Sequence, residues 1–237
     1  NKLKISKKYL IIYSIEIISC LCIRFCVMPR IDGVDNLFFL ARDSFVWYRM
    51  ALRLRHLFLG MNFHYLYISR KAVFVSCLYD LSDYELELVF SDTIGYTPRQ
   101  LLSSLALEED EMLQAFCADE LDEPLDSGKR VRFYDRIRSS SLAKILLEKS
   151  GEARRLLLSY LRQEGFLGSE KPGIVDIGWK GNTNRVLNYI LRREEDTNAY
   201  LSFFLGVKET RHPIASIGDY EAGYYFEDYL DEPEYAL

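Results

Sequence analysis

The 237-residue sequence predicts an α/β fold, a mainly parallel sheet with flanking helices and a helical insertion. Three observations carry this expectation. Leu37-Phe38-Phe39-Leu40-Ala41 is a short, wholly apolar run, the pattern of a strand buried on both faces of a parallel sheet. Gly173-Ile174-Val175-Asp176-Ile177 repeats that pattern late in the chain. From Leu37 onward, strand, helix and second strand follow one another within about 35 residues, the spacing of a βαβ unit.

The elements follow in order. Arg42-Asp43-Ser44 ends the first strand, after which Val46, Trp47, Met50, Ala51, Leu54, Leu57 and Phe58 recur at helical spacing. Arg49, Arg53, Arg55 and His56 take the opposite side, and Gly60 closes the helix. Tyr65-Leu66-Tyr67-Ile68 reads as a second, parallel strand, followed by the polar triplet Ser69-Arg70-Lys71. Residues 79–138 are acidic, helix-prone and turn-rich and are expected to form a helical hood or insertion. Within them Thr97-Pro98-Arg99-Gln100 combines an N-cap, a first-turn proline and a box-type glutamine. Two amphipathic helices are expected at 139–149 and 152–163, parted near Gly151. After the strand at 173–177, Gly178-Trp179-Lys180-Gly181-Asn182-Thr183 leads into a helix marked by Val186, Leu187, Ile190 and Leu191. Residues 199–207 read as a fourth strand and 222–226 as an edge strand. Residues 1–237 are thus expected to form a single α/β domain. Opening at Asn1 and closing at Leu237 without a terminal element, it reads as a piece of a longer multidomain protein.

A chain with 49% apolar and 27% charged residues can fold, which excludes disorder, collagen and coiled coil. The net charge of −5 hides an asymmetry, because residues 1–70 carry 11 basic and 4 acidic side chains and the remainder is correspondingly acidic. This favours a local site for an anionic ligand and disfavours nucleic acid as a partner. The five cysteines, Cys20, Cys22, Cys26, Cys77 and Cys117, include no Cys-x-x-Cys and are expected to be buried free thiols. Residues Tyr9–Met28 are apolar but interrupted by Glu16 and Arg24, which favours a helix in a soluble core over a membrane span. The expected location is cytoplasmic, with the inner membrane face as a further option.

Ligands of open parallel sheets bind beyond the carboxyl ends of the strands. Three loops of unusual composition fall there: Arg42-Asp43-Ser44, Ser69-Arg70-Lys71, and Asp176 through Thr183. In the third, Gly178 and Gly181 permit close approach, Asn182 and Thr183 supply short polar groups, and a helix N-terminus follows, the composition of a phosphate cradle. A tight turn that binds nothing has the same composition, and Arg42-Asp43 alone is equally an ion pair at a helix start. Together, Arg42, Arg70, Lys71 and Lys180 offer cations, and Asp43 and Asp176 offer carboxylates for Mg²⁺ or sugar hydroxyls, an inventory that suits a phosphorylated sugar. The candidate loops contain no Asp-x-Asp pair of a phosphatase, and the chain has no Gly-x-x-x-x-Gly-Lys-Ser/Thr loop, no Gly-x-Ser-x-Gly elbow and no metal-ligand spacing among His56, His64 and His212. Asp176-Ile177-Gly178 is also the type of a methyltransferase cofactor loop, but that loop follows the first strand of its sheet, and too few residues remain after this one.

The segments 38–44 (FFLARDS), 65–72 (YLYISRKA) and 174–183 (IVDIGWKGNT) resemble type I phosphoribosyltransferase-like modules found beside haloacid-dehalogenase-type phosphatase domains in bacterial surface-polysaccharide enzymes. The resemblance covers roughly residues 10–207. It implies a ribofuranosyltransferase that moves a 5-phosphoribosyl group from phosphoribosyl pyrophosphate to a sugar hydroxyl of a glycan acceptor with Mg²⁺. A phosphatase domain in the same or a neighbouring chain then removes the 5-phosphate. By the same resemblance Arg42, Asp43 and Ser44 form the pyrophosphate loop; the acceptor hydroxyl needs a base close by, for which Asp43 is the candidate by position, with acidic residues of the 79–138 insertion as the alternative. Ser69, Arg70 and Lys71 add pyrophosphate contacts. Asp176 faces the ribose hydroxyls and, through them, Mg²⁺, and Gly178, Lys180, Gly181, Asn182 and Thr183 wrap the 5-phosphate. Ordinary phosphoribosyltransferases carry two adjacent acids on the late strand, whereas Ile177 follows Asp176 here. The alternative is a non-catalytic module that binds a phosphorylated sugar or docks a partner phosphatase or glycosyltransferase.

Overall fold

The computed structural model describes residues 32–90, 95–179, 181–194, 200–208 and 220–226. The Tyr9–Met28 segment, Cys20, Cys22, Cys26, Lys180 and His212 lie outside them. The fold is α/β, a parallel sheet flanked by helices. Among the described residues no helix is long and apolar enough to cross a membrane. The chain divides into two compact units, one of residues 1–67, 164–181 and 198–237, the other of residues 68–163 and 182–197.

The first unit holds a five-stranded parallel sheet, β1 (Asn36–Leu40), β2 (Asn62–Leu66), β3 (Pro172–Trp179), β4 (Leu201–Lys208) and β5 (Tyr220–Phe226), in the order β2-β1-β3-β4-β5. Residues Leu37–Leu40 are buried on both faces, as their uniform apolarity predicts. Leu37 and Phe39 join Val34, Val175, Phe203 and the helix residues Trp47 and Ala51 in one core. Phe38 points the other way, edge-on to Phe166 at 5.1 Å and stacked on His64 at 4.6 Å. Helix α1 (Phe45–Leu54) continues into a short 3₁₀ turn over Arg55–Leu57, as the apolar spacing predicts.

Strand β2 begins three residues and ends two residues earlier than the apolar run at 65–68 suggests. Register is set by pairing, and the polar residues Asn62 and His64 both reach Asn36 Oδ1 at 3.2 Å, while the Ala41 amide donates to the Leu66 carbonyl at 2.8 Å. Burial lowers the pKa of the His64 imidazole below its usual 6.5, opposed by the nearby Glu164 carboxylate. The unfolded chain therefore takes up the proton first as pH falls. The stability linked to His64 is fully present above about pH 6.5 and is lost as pH drops through the folded value. Urea midpoints measured at pH 7.5 and pH 5 are expected to differ less in His64→Gln than in the parent, and an unchanged pH slope would refute this assignment.

The second unit is helical: α2 (Arg70–Val75), α3 (Asp83–Phe90), α4 (Pro98–Ser104), α5 (Glu109–Met112), α6 (Ala118–Leu121), α7 (Ser127–Ser139), α8 (Leu142–Gln163) and α9 (Asn182–Glu194). Residues 79–138 lie wholly inside it. The capping box at α4 forms as read, with Thr97 Oγ1 accepting from the Gln100 amide at 3.3 Å and Gln100 Oε1 accepting from the Thr97 amide at 3.0 Å. Of the described thiols Cys77 is buried but Cys117 is exposed, sitting at the N-cap of α6 rather than in a core.

Helix α8 corrects the two-helix expectation for 139–163. It runs unbroken through Gly151, although a mid-helix glycine costs about 1 kcal/mol relative to alanine. Tertiary contacts on both sides of the glycine offset that cost. Ser150 Oγ accepts from the buried Leu78 amide at 3.1 Å, and Arg154 donates to the Ser76 and Leu78 carbonyls at 3.0 and 3.1 Å. A buried face of Leu142, Leu146, Leu157, Leu158 and Leu161 spans the whole length.

Candidate functional site

The chain order in the sheet reverses between β1 and β3. From β1 the chain steps outward to β2 on one side, and β3, β4 and β5 extend the sheet on the other. Such a switch point, at the carboxyl ends of the two diverging strands, is where open α/β sheets bind ligands. The residues found there are those leaving β1, Ala41 to Ser44, and those ending β3, from Asp176 onward.

Arg42 and Asp43 are exposed, after an Ala41–Arg42 peptide bond that is cis. Ser44 is fully buried, and its hydroxyl donates to the Val175 carbonyl at 3.1 Å. That bond explains why Ser44, although it precedes α1, makes no side-chain cap: the hydroxyl is turned to the strand instead of to the helix amides. It also ties the Arg42-Asp43 turn to the residue immediately before Asp176. Asp176 is half-buried and pairs in register with Phe204 of β4. Burial raises the Tyr65 phenol above its ordinary pKa of 10, with Tyr67 and Asp43 adding to the rise and Arg42 opposing it, so the two loop charges lie within electrostatic reach of β2.

The glycine-containing loop is shorter than its composition suggests. Strand β3 runs through Trp179, with Gly178 opposite Gly206 and Trp179 opposite Val207, so the Gly178 backbone belongs to the ladder. Gly181 has a φ of +62°, a left-handed conformation that a side chain disfavours, and it makes the corner from strand to helix. Among the described residues of the first unit, Ser44 thus joins the turn after β1 to β3 at Val175, next to Asp176, while Gly178 and Gly181 lie further along β3 and at its exit.

The remaining candidates, apart from Lys180, which lies outside the described residues, belong to the second unit. Ser69 caps α2, its hydroxyl accepting from the Ala72 amide at 3.2 Å. Arg70 is exposed, its guanidinium 5.6 Å from the Phe74 ring centroid, and Lys71 is exposed. Asn182 and Thr183 open α9, where Asn182 Oδ1 accepts from Arg185 Nη2 at 3.0 Å. Helices α2 and α9 both turn their carboxyl ends to Arg154, which donates to the Ser76 and Leu78 carbonyls and pairs with Glu194 at 3.1 Å.

Sequence reasoning missed the buried polar residues of α9, Asn184, Arg185 and Asn188. Their spacing of three and four residues was the available signal, masked because the same helix also carries the apolar stripe of Val186, Leu187, Ile190 and Leu191. It also missed Glu85, a fully buried carboxylate in the second unit. Among the described residues no three or more His, Cys, Asp or Glu side chains gather to hold a metal ion. No protein-family model matches the chain, and no curated protein matches it either.

Proposed function

We propose that this chain is a phosphoribosyltransferase-like glycosyltransferase domain that moves a 5-phosphoribosyl group from phosphoribosyl pyrophosphate to a sugar hydroxyl in bacterial surface-glycan assembly, on the cytoplasmic side of the membrane. The observation that supports this reading best is the reversal between β1 and β3, with the exposed Arg42-Asp43 turn tethered by Ser44 next to Asp176. An arginine and two carboxylates at a switch point suit a ligand that combines phosphate with sugar hydroxyls.

In this reading, breaking the anomeric C–O bond develops oxocarbenium character on the ribose while negative charge grows on the departing pyrophosphate. Arg42 offsets that charge, and Asp43 takes the proton of the attacking acceptor hydroxyl. The buried Ser44 positions both by pinning their turn to β3. Asp176 orients the ribose hydroxyls. Ser69, Arg70 and Lys71 as further pyrophosphate contacts, and Gly178, Lys180, Gly181, Asn182 and Thr183 as the 5-phosphate cradle, are carried over from the family resemblance. Mg²⁺ is bound in proteins through one or two carboxylates together with substrate phosphates, which Asp43 and Asp176 fit as hard oxygen donors. When bound it supplies charge neutralisation at the pyrophosphate oxygens. A phosphatase domain acting next would remove the 5-phosphate.

Phosphoribosyl pyrophosphate with Mg²⁺, at about 100 times its dissociation constant, is expected to raise the melting temperature by roughly 5–10 °C. Asp176→Ala and Lys180→Ala are expected to abolish the shift. Absence of a shift in the parent chain overturns the proposal. Pyrophosphate release on adding sugar acceptors marks the transferase, whereas a shift without release under any acceptor marks a module that only binds the phosphorylated sugar.

A further inference from the structure

Four aromatic rings gather in the first unit around the exit of β1 and β2. Tyr65 of β2 is stacked on Tyr48 of α1 at 5.4 Å and meets two rings at steep angles, Phe45 at 5.5 Å and 72° and Tyr67 at 5.0 Å and 88°. The inner rings are covered: Tyr48 and Tyr65 are half-buried, and Tyr48 leans on the core residue Phe39 at 5.8 Å. The outer rings are not, since Tyr67 exposes 77% and Phe45 46% of its surface, with Val46 exposed beside Phe45. Phe45 directly follows Arg42-Asp43-Ser44, and the charges of Arg42 and Asp43 act on Tyr65. Arg49 adds a second guanidinium, 6.0 Å from the Phe45 ring centroid.

Folding ordinarily removes such rings from water, each aromatic burying about 150–250 Å² when it can. Here two stay exposed, each set against the half-buried Tyr65, one at the first residue of a helix and one at the exit of a strand. The exposed apolar area comes to roughly 300 Å², well below the approximately 800 Å² per partner of a stable protein interface. It matches the face of one or two sugar rings. A pyranose presents axial C–H groups on a face and hydroxyls around its rim, which calls for ring faces bordered by a carboxylate, guanidinium groups and phenol hydroxyls, the set formed by Phe45, Tyr67, Asp43, Arg42 and Arg49.

We infer that Phe45 and Tyr67 form a saccharide platform beside the Arg42-Asp43 turn, which seats a pyranose ring of the acceptor glycan with its hydroxyl toward Asp43. That the bound sugar is an acceptor rests on the proposed glycosyltransferase function; the recognition of a sugar ring rests on the rings and their charged border.

The test uses the full chain and three probes, methyl β-D-glucopyranoside, methyl β-D-galactopyranoside and methyl α-D-mannopyranoside, followed by saturation-transfer difference NMR. At least one probe is expected to receive saturation at its ring C–H protons. The signal should fall by roughly fivefold or more in Tyr67→Ala and in Phe45→Ala and persist in Tyr67→Phe, which keeps the ring. The melting shift with phosphoribosyl pyrophosphate and Mg²⁺ should be the same in all three variants. No transfer in the parent chain, or equal transfer in the alanine variants, overturns the platform. Self-association in sedimentation that Tyr67→Ala abolishes overturns it as well, by assigning the rings to a second copy. Ring-dependent saccharide binding without any donor shift supports the platform and overturns the donor reading alone.

Discussion

Glu85→Ala is expected to cost about 3–5 kcal/mol of stability, the range measured when one partner of a buried charged network is removed. The Glu85 carboxylate is fully buried and collects five neighbours. Its oxygens accept from the backbone amides of Tyr79, Asp80 and Leu81 at 2.9 to 3.1 Å, from the Tyr189 hydroxyl at 2.7 Å and from the Arg193 guanidinium at 3.1 Å. Alanine would strand the buried Leu81 amide, at about 1–3 kcal/mol, and take the shared acceptor from the Tyr79 and Asp80 amides, the Tyr189 hydroxyl and the Arg193 guanidinium, which are partly open to water. The same carboxylate holds Leu81 at a φ of +57°, a left-handed conformation costly for a side chain with a Cβ. It also fixes the Tyr79 segment, whose ring carries the Arg154 guanidinium at 3.6 Å and the Arg193 guanidinium at 4.3 Å. Burial raises the Tyr79 and Tyr189 phenols above their ordinary range, so both stay neutral, Tyr79 against both arginines and Tyr189 beside Arg193. Urea unfolding followed by far-ultraviolet circular dichroism is the measurement. A loss below about 1 kcal/mol would show that the helices of the second unit do not depend on this anchor.

Gly173→Val is expected to be strongly destabilising, and Gly173→Ala already costs about 1–3 kcal/mol by overpacking. A Cβ built on Gly173 would lie 2.9 Å from both Leu37 Cδ1 and Val34 Cγ1 and 3.1 Å from Phe203 Cε2. Those atoms belong to the apolar core on that face of the sheet, which also contains Trp47. Residue 173 sits between Leu37 of β1 and Leu201 of β4 in the ladder, so relief requires the buried Leu37, Val34 and Phe203 side chains to give way within the packed core. Because β1 leads into Ser44 and β3 itself carries Asp176, the loss of packing should also weaken the donor binding proposed above. Denaturation followed by tryptophan fluorescence reports on the core directly, and wild-type stability of Gly173→Ala would refute the close approach.

How far the sequence could be read depended on where the information for each feature lies. The strand at 36–40, the helix after it and the capping box at Thr97 follow from neighbours within a few residues, so apolar period and side-chain chemistry suffice. The register of β2 does not, because Asn62 and His64 are paired through Asn36, 26 and 28 residues away. Gly151 reads as a break until Ser150 and Arg154 are seen bonded to the backbone of residues 76 and 78. Glu85 reads as one more acid in an acidic stretch, and its burial depends on Tyr189 and Arg193, more than 100 residues on.

The candidate site divides in the same way. Its polar inventory, Arg42, Asp43, Ser44, Asp176 and the glycines after it, stands in the sequence, since strand ends and short polar loops are marked by composition alone. Three things depended on the folded chain: the reversal of order between β1 and β3, the turning of the Ser44 hydroxyl to Val175, and the gathering of the exposed Phe45 and Tyr67 around the half-buried Tyr65. Each joins residues from separate strands or helices. Local preference has no term for such pairs, whose positions follow from packing the sheet as a whole.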